Sequence, residues 1–145
     1  MNHLEILRAH LLEELKRTER TLASAKIARN NAPTPKESKS DTSRARLETE
    51  VTMHELRARE LKNFMNAIPK NELGLNKIGL WSLIEVELPS GSMRITIVPD
   101  GVGGKKVKEI WFISDKTPIG LALLGKRSGD KFMFNGKEGR VVSVD

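Results

Sequence analysis

The chain of 145 residues contains no cysteine and no tyrosine. Without thiols it can form neither a disulfide nor a thiolate metal site, and a reducing cytoplasm is its natural home. Aromatic residues amount to 4% of the chain against 38% hydrophobic residues in all. That is lean for one globular core and favours an elongated part plus a small compact part. No run approaches the ~20 apolar residues that a membrane helix needs. The N-terminal MNHLEILRAH carries charge early and has no apolar core of signal-peptide length. These absences predict a soluble, cytoplasmic protein with no membrane partner.

The formal net charge is +6, which suggests an acidic partner surface or nucleic acid without choosing between them. Residues 1–69 hold 13 basic and 10 acidic side chains, and residues 70–145 hold 12 and 9. The excess is therefore even, and no segment is built like a phosphate-binding arm. Enzyme machinery is missing too. The only glycine-rich stretch, GVGG, lacks the Lys-Ser/Thr and the helix that a phosphate loop requires. The serines have no serine-elbow context. His3, His10 and His54 are scattered, whereas a zinc site needs converging ligands.

What is present is periodicity. Residues 3–29 have neither glycine nor proline, and Leu4, Leu11, Leu15, Thr18, Leu22 and Ala25 form a heptad-like stripe of a helix. The pattern stops at Asn30-Asn31-Ala32-Pro33-Thr34-Pro35, and residues 30–40 read as a turn. A second helix runs from Asp41 or Thr42 to Ala67, with Asp41 as N-cap. Its seam is Leu47, Val51, His54, Ala58, Leu61, Met65 and Ile68, and Pro69 ends it. Two narrow seams and a short connection make an antiparallel pair the economical arrangement.

Residues 70–78 read as a linker, and from Leu80 the period becomes that of strands. WSLIEVEL and MRITIVP alternate around the turn PSGS, which predicts a hairpin. DGVGGKKVK reads as a loop and EIWFIS as a strand. PIGLALL reads as a short helix with Thr117 as N-cap, Pro118 in first position and Gly125 as stop. DKFMF and GRVVSV are strands around NGKEG. The fold class is therefore α+β. An antiparallel coiled-coil hairpin (1–69) and a linker (70–78) precede a small antiparallel β domain with one short helix (79–145).

Two segments stand out chemically. At the hairpin turn, KESKSDTSRARLE sets Glu37 and Asp41 four residues apart. Asp41 or Ser40 can cap the second helix, and Glu37 adds favourable charge near its N-terminus. Carboxylates carried on a stiff rod can equally complete a Mg²⁺ site in another protein, since Mg²⁺ takes one or two carboxylates and fills its other positions with water or phosphate oxygens. The second segment is ISDKTPIGLALLGKRSGD over Ile113–Asp130, where Ile119, Leu121, Leu123 and Leu124 are expected to be mostly core.

This second segment, followed by a strand, a turn at NGKEG and a last strand, resembles the closing motif of the bacterial Gre transcript-cleavage factors. Their pattern is Ser-Pro-hydrophobic-Gly, Ala-Leu-Leu-Gly-Lys, then Gly-Asp. The chain has Thr117 for the serine and matches Pro118, Gly120, Ala122, Leu123, Leu124, Gly125, Lys126, Gly129 and Asp130. With the preceding hairpin the resemblance spans nearly the whole chain. It implies an FKBP-like C-terminal domain docking at the rim of the secondary channel of bacterial RNA polymerase, with Asp115, Lys116, Thr117, Pro118, Lys126 and Arg127 as docking candidates. The hairpin would reach toward the active centre and the 3′ end of nascent RNA. Cleavage factors hold a second Mg²⁺ there with an Asp and a Glu three residues apart, in Gly-Asp-x-x-Glu-Asn-Ala-Glu-Tyr, for two-metal hydrolysis of backtracked RNA. Here that motif is absent. The tip is Glu37-Ser38-Lys39-Ser40-Asp41-Thr42, similar to Glu-x-Lys-x-Asp-Thr tips of divergent Gre-like proteins.

The expectation is a monomeric accessory factor of RNA polymerase, not itself an enzyme, with no tightly bound cofactor. Glu37 and Asp41 are the candidates for a Mg²⁺ shared with the polymerase, supported by Ser38, Lys39, Ser40 and Thr42. Within the family the alternative is a regulator that blocks the channel without cleaving. Two readings come from other classes. One is a peptidyl-prolyl isomerase, which needs an aromatic-lined site from Trp81, Trp111, Phe112, Phe132 and Phe134, most of them expected in strands and core. The other is a nucleic-acid-binding module using Lys105, Lys106, Lys108, Lys126 and Arg127.

Overall fold

The structure is a computed structural model that describes residues 2–34, 42–70, 74 and 76–145. It contains helices α1 (His3–Asn31), α2 (Ser43–Ala67) and α3 (Pro118–Leu123). The strands are β1 (Leu83–Leu88), β2 (Gly91–Val98), β3 (Lys105–Val107), β4 (Ile110–Ser114), β5 (Lys131–Phe134) and β6 (Lys137–Val144). The chain divides into two compact units, Arg8–Ala67 and Met1–Leu7 with Ile68–Asp145. The start of α1, as far as Leu7, thus falls in the same unit as the sheet.

The Arg8–Ala67 unit is the helical hairpin. Its inward stripe follows the predicted seam: Leu11, Leu15, Ala25, Val51, Ala58 and Leu61 are buried, and Thr18, Leu22, Leu47, His54 and Met65 are half-buried. Polar bonds fix the direction and register. Arg57 donates from Nε and Nη2 to Glu14 Oε1 at 3.2 and 2.7 Å, and from Nη1 to Glu60 Oε2 at 2.9 Å. Arg44 Nη1 donates to the carbonyls of Arg29 and Ala32 at the end of α1, both at 3.2 Å. The contacts on α1 move up the chain as those on α2 move down, so the helices run antiparallel. Arg44 also places positive charge on the carbonyl end of α1, where the helix dipole favours it. Burial by itself would lower the Arg57 pKa, but the bonds to Glu14 and Glu60 outweigh it and hold the pKa above the ordinary value. At the start of α2 the Thr42 carbonyl accepts from Arg46 N at 3.2 Å, which is the N-cap position. The expected cap, Asp41, lies outside the described residues, as do Glu37, Ser38, Lys39 and Ser40.

The other unit is a six-stranded sheet in the order β3-β4-β2-β1-β6-β5. β1 and β2 form the predicted hairpin, paired from Leu83↔Thr96 to Leu88↔Gly91. β5 and β6 form another, and Asn135 (φ 51°) and Gly136 (φ 73°) give the two left-handed residues of a tight hairpin turn. In two places the sheet differs from the expected antiparallel domain with a loop before its third strand. β4 runs parallel to β2, with Ile95 beside Trp111 and Ile97 beside Ile113. The segment expected to be a plain loop contributes β3, an antiparallel edge strand on β4. Its lysines suit an exposed edge, since charge there discourages pairing with a further strand. The segment expected to be a linker is also partly built in. Ile78 is 3% exposed and belongs to the core, and Lys77 forms a β-bridge with Arg127.

The main core lies between one sheet face and α3, and comprises Ile84, Val86, Ile95, Ile97, Ile119, Leu123, Phe132 and Val141 together with Ile78. A further set of buried side chains in this unit includes Leu4, Leu7, Trp81, Val98, Val102, Ile110 and Phe112. Asn2 caps α1 here, accepting from Glu5 N at 2.8 Å through Oδ1. Besides Asn135, left-handed backbone occurs at three residues with side chains: Trp81 (φ 75°), Lys108 (φ 48°) and Glu109 (φ 68°). Each such residue costs about 1–2 kcal/mol relative to the ordinary regions. Lys108 and Glu109 form the two-residue turn from β3 to β4.

Candidate functional site

The segment from Ser114 to Asp130 is where sequence and geometry bear most closely on each other. Its first part is a hydrogen-bonded corner. The Ser114 carbonyl accepts from Thr117 Oγ1 at 2.7 Å and from Thr117 N at 3.2 Å. Thr117 Oγ1 accepts in turn from Gly120 N at 3.1 Å, the N-cap bond expected for α3. Ser114 Oγ donates to Asp100 Oδ1 at 3.2 Å and accepts from Lys116 N at 3.1 Å. Asp115 N donates to the Val98 carbonyl at 2.9 Å, pinning the corner to the end of β2. No side chain fits at position 120, because a Cβ there would lie 2.3 Å from Ser114 O.

The second part closes α3 and returns to the sheet. Gly125 (φ 81°) takes the left-handed stop position and donates to the Ile78 carbonyl at 2.9 Å, while Ile78 N donates to Lys126 O at 2.8 Å. Asp130 Oδ2 accepts from Arg127 N at 2.8 Å, and Asp130 N donates back to Arg127 O at 3.0 Å. The loop is then fastened to β6: Gly129 N donates to Val141 O at 2.7 Å and Val141 N to Asp130 O at 2.8 Å. The matched positions Thr117, Gly120, Gly125, Gly129 and Asp130 are thus scaffold positions, each with a backbone task.

The side chains this scaffold presents are different ones. Lys116, Pro118 and Arg127 are exposed, Asp115, Thr117 and Lys126 are half-buried, and Leu121 is 62% exposed. Of the six docking candidates, Asp115–Pro118 stand at the start of α3 and Lys126–Arg127 beyond its end. The six residues of α3 separate the two groups by about 9 Å. Leu121 lies between them and is the one of the four apolar residues expected to be mostly core that stands exposed. A one-and-a-half-turn helix packed on one side cannot bury Ile119, Leu121, Leu123 and Leu124 together. Its signal was legible only as one leucine too many.

The other candidates are dispersed. Lys105, Lys106 and Lys108 lie on β3 and its turn at one edge of the sheet, while Lys126 and Arg127 adjoin β6 toward the other edge. Lys106 Nζ pairs with Glu109 at 3.3 Å and lies 5.7 Å from the Trp111 ring centre. Phe112, Phe132 and Trp81 are buried as expected, but Trp111 is 38% exposed. Trp81 lies outside any strand. Among the described residues no three His, Asp or Glu side chains gather as a metal site. No helix among them is long and apolar enough to cross a membrane.

No protein-family model matches the chain, and no curated protein matches it. Among solved structures, the chain is similar to the crystal structure of GreA factor homolog 1 (Gfh1) protein of Thermus thermophilus. The two share 27% identity over 95% of this chain and 94% of that one, with a TM-score of 0.43. It is similar to a structure described as the transcription factor Gfh1, at 26% identity over 96% and 93% of the two chains and a TM-score of 0.42. It is likewise similar to the crystal structure of Thermus aquaticus Gfh1, at 26% identity over 94% and 92% and a TM-score of 0.41.

Proposed function

We propose that this protein is a Gre-like transcription factor that binds bacterial RNA polymerase at its secondary channel. In this reading the sheet unit docks at the channel rim and the helical hairpin enters the channel to modulate elongation. The observation that carries the reading is the Thr117–Asp130 segment. It retains the Gre closing pattern in sequence, and its glycines, cap and Gly-Asp turn form a rigid mount presenting Lys116, Pro118, Leu121 and Arg127. A long helical hairpin preceding a sheet unit supports the same assignment.

Docking through that face is expected to need one apolar anchor with a charged rim, the usual composition of a protein interface. The protein should therefore co-elute with bacterial core RNA polymerase on size exclusion. Leu121→Asp and the pair Lys116→Glu/Arg127→Glu should weaken that association at least tenfold without changing the circular dichroism spectrum. An unaltered elution profile for both variants counts against this docking face. Absence of co-elution by the unsubstituted chain counts against the whole reading.

The hairpin tip separates two modes of action. If Glu37 and Asp41 supply carboxylates for a Mg²⁺ held jointly with the polymerase, the protein shortens RNA in a stalled, backtracked complex and Glu37→Ala/Asp41→Ala abolishes the shortening. If it acts as a channel blocker, elongation slows, RNA is not shortened, and the same variants bind unchanged.

A further inference from the structure

The sheet unit contains a cavity of about 660 Å³ on the side opposite α3, beside the first turn of α1. Ligand pockets fall in this size range. Its apolar wall is formed by Ile6, Trp81, Leu83 and Ile110. Its cationic side is formed by Arg94 and Lys108. The topology places these two near each other: Arg94 is the backbone partner of Ile110, and Lys108 lies two residues before Ile110 at the β3–β4 turn.

Three observations distinguish this cavity from an ordinary surface hollow. First, neither Arg94 nor Lys108 has an ion-pair partner among the described residues, whereas the neighbouring Lys106 is paired with Glu109. Second, two of the four left-handed residues with side chains, Trp81 and Lys108, line it. Such strain persists only where the surroundings impose it. For Trp81 the imposing contact is visible, since His3 Nε2 donates to its carbonyl at 2.7 Å. Third, the first turn of α1 lines the cavity through Asn2, His3 and Leu4, and the helix dipole there favours negative charge. The one acid in the lining is Asp145, whose backbone is held by Leu83. Of the Arg, Lys, Asp and Glu side chains in the lining, two are cationic and one is anionic.

We infer that this cavity binds a small organic anion, with an apolar body against Trp81, Leu83 and Ile110 and a carboxylate or phosphate held by Arg94 and Lys108. The inference is independent of the polymerase reading, since it uses no residue of the α3 face. Arg94 and Lys108 are both exposed, so replacing them leaves the core intact.

The test uses the full chain and the fluorescent aromatic sulfonate 8-anilinonaphthalene-1-sulfonate as probe. Saturable binding of one probe per chain is expected, accompanied by quenching of tryptophan emission. Decanoate or decyl phosphate should displace it, and whichever does so more strongly identifies the favoured anion. Decanol, with the same tail and no charge, should displace it at least tenfold less well. Arg94→Gln/Lys108→Gln should weaken probe binding at least tenfold with an unchanged circular dichroism spectrum. Lys106→Gln, which removes a neighbouring cation outside the cavity, should leave it unchanged. Non-saturable binding overturns the inference. So do equal displacement by decanol, displacement by neither anion, or full affinity in the double variant.

Discussion

In the sheet unit, Gly103, Gly120 and Gly139 sit where an added methyl would lie 2.5 Å or less from backbone or an aromatic ring. Helices α1 and α2 contain no glycine at all. Their geometry comes from a repeated apolar seam and a few polar bonds, each replaceable by a similar residue. The difference is one of tolerance. A seam of leucines, valine and alanines specifies a helical pair through many small and redundant contributions. A corner such as Ser114–Gly120 specifies a loop through contacts that admit one residue type. The helices can therefore drift in sequence while keeping their shape, whereas the α3 segment keeps its shape only by keeping its letters. This explains how a motif can be conspicuous there while the hairpin shows only a period.

The sharpest way to break this comparison is Gly120→Ala. Alanine is the better helix former by about 1 kcal/mol, yet its Cβ would meet the Ser114 carbonyl at 2.3 Å. Backbone overlap should dominate, with a net loss of about 2–4 kcal/mol. Trp81 and Trp111 both lie in the sheet unit, so urea unfolding followed by tryptophan fluorescence reads that unit. Next in size is Arg57→Ala in the hairpin. The Arg57 and Glu14 side chains are 31% and 23% exposed, so solvent screening limits the loss to about 1–2 kcal/mol. It should appear in the helical circular dichroism transition and leave the fluorescence transition in place. Because the Arg57 pKa is raised, its contribution is fully present below the ordinary guanidinium value and is lost only as pH rises through the folded-state value. Raising the pH from neutral to mildly alkaline should leave the Arg57→Ala difference unchanged.

Thr117→Ala removes the α3 cap and should cost about 1 kcal/mol, while Thr117→Ser should restore most of it. The smallest effect has the opposite sign. Thr96 is fully buried, and its hydroxyl has no hydrogen-bond partner among the described residues. Thr96→Val keeps the shape and removes the unpaired group, so a gain of about 0.5–1 kcal/mol is expected by the fluorescence assay.

The two regions also differ in how much could be read beforehand. The hairpin seam is a local property with a period near the helical one, so Leu47, Val51, Ala58 and Leu61 were identifiable as an inward face before any contact was known. Leu7, which is fully buried, continues the same stripe, three residues after Leu4 and four before Leu11. In the sheet unit the β1–β2 and β5–β6 hairpins and the Thr117 cap were legible for the same reason, since each is settled by residues a few positions apart. The parallel pairing of β2 with β4 was not. Nothing in EIWFIS distinguishes a strand that lies beside its predecessor from one that crosses to lie parallel to an earlier strand. Strand β3 was hidden because three residues rich in lysine and preceded by glycines carry no alternation. Ile78 was not legible as core because it follows the polar pair Asn76-Lys77 and Gly79 separates it from the alternating run that starts at Leu80.

By itself, then, the sequence determined what depends on short separations: two helices with a seam, two tight hairpins, a capped short helix and the turn residues of the Thr117–Asp130 segment. Tertiary structure alone decided what depends on distant partners. It set the strand order and the parallel pair, and it joined the first turns of α1 to the sheet unit. It turned Leu121 outward, since a short helix has only one covered side. It also brought Arg94, Lys108 and Trp81 around one cavity. Those three residues come from a strand, a turn and an isolated strained position, and no periodicity links them; only the folding of the sheet brings them together.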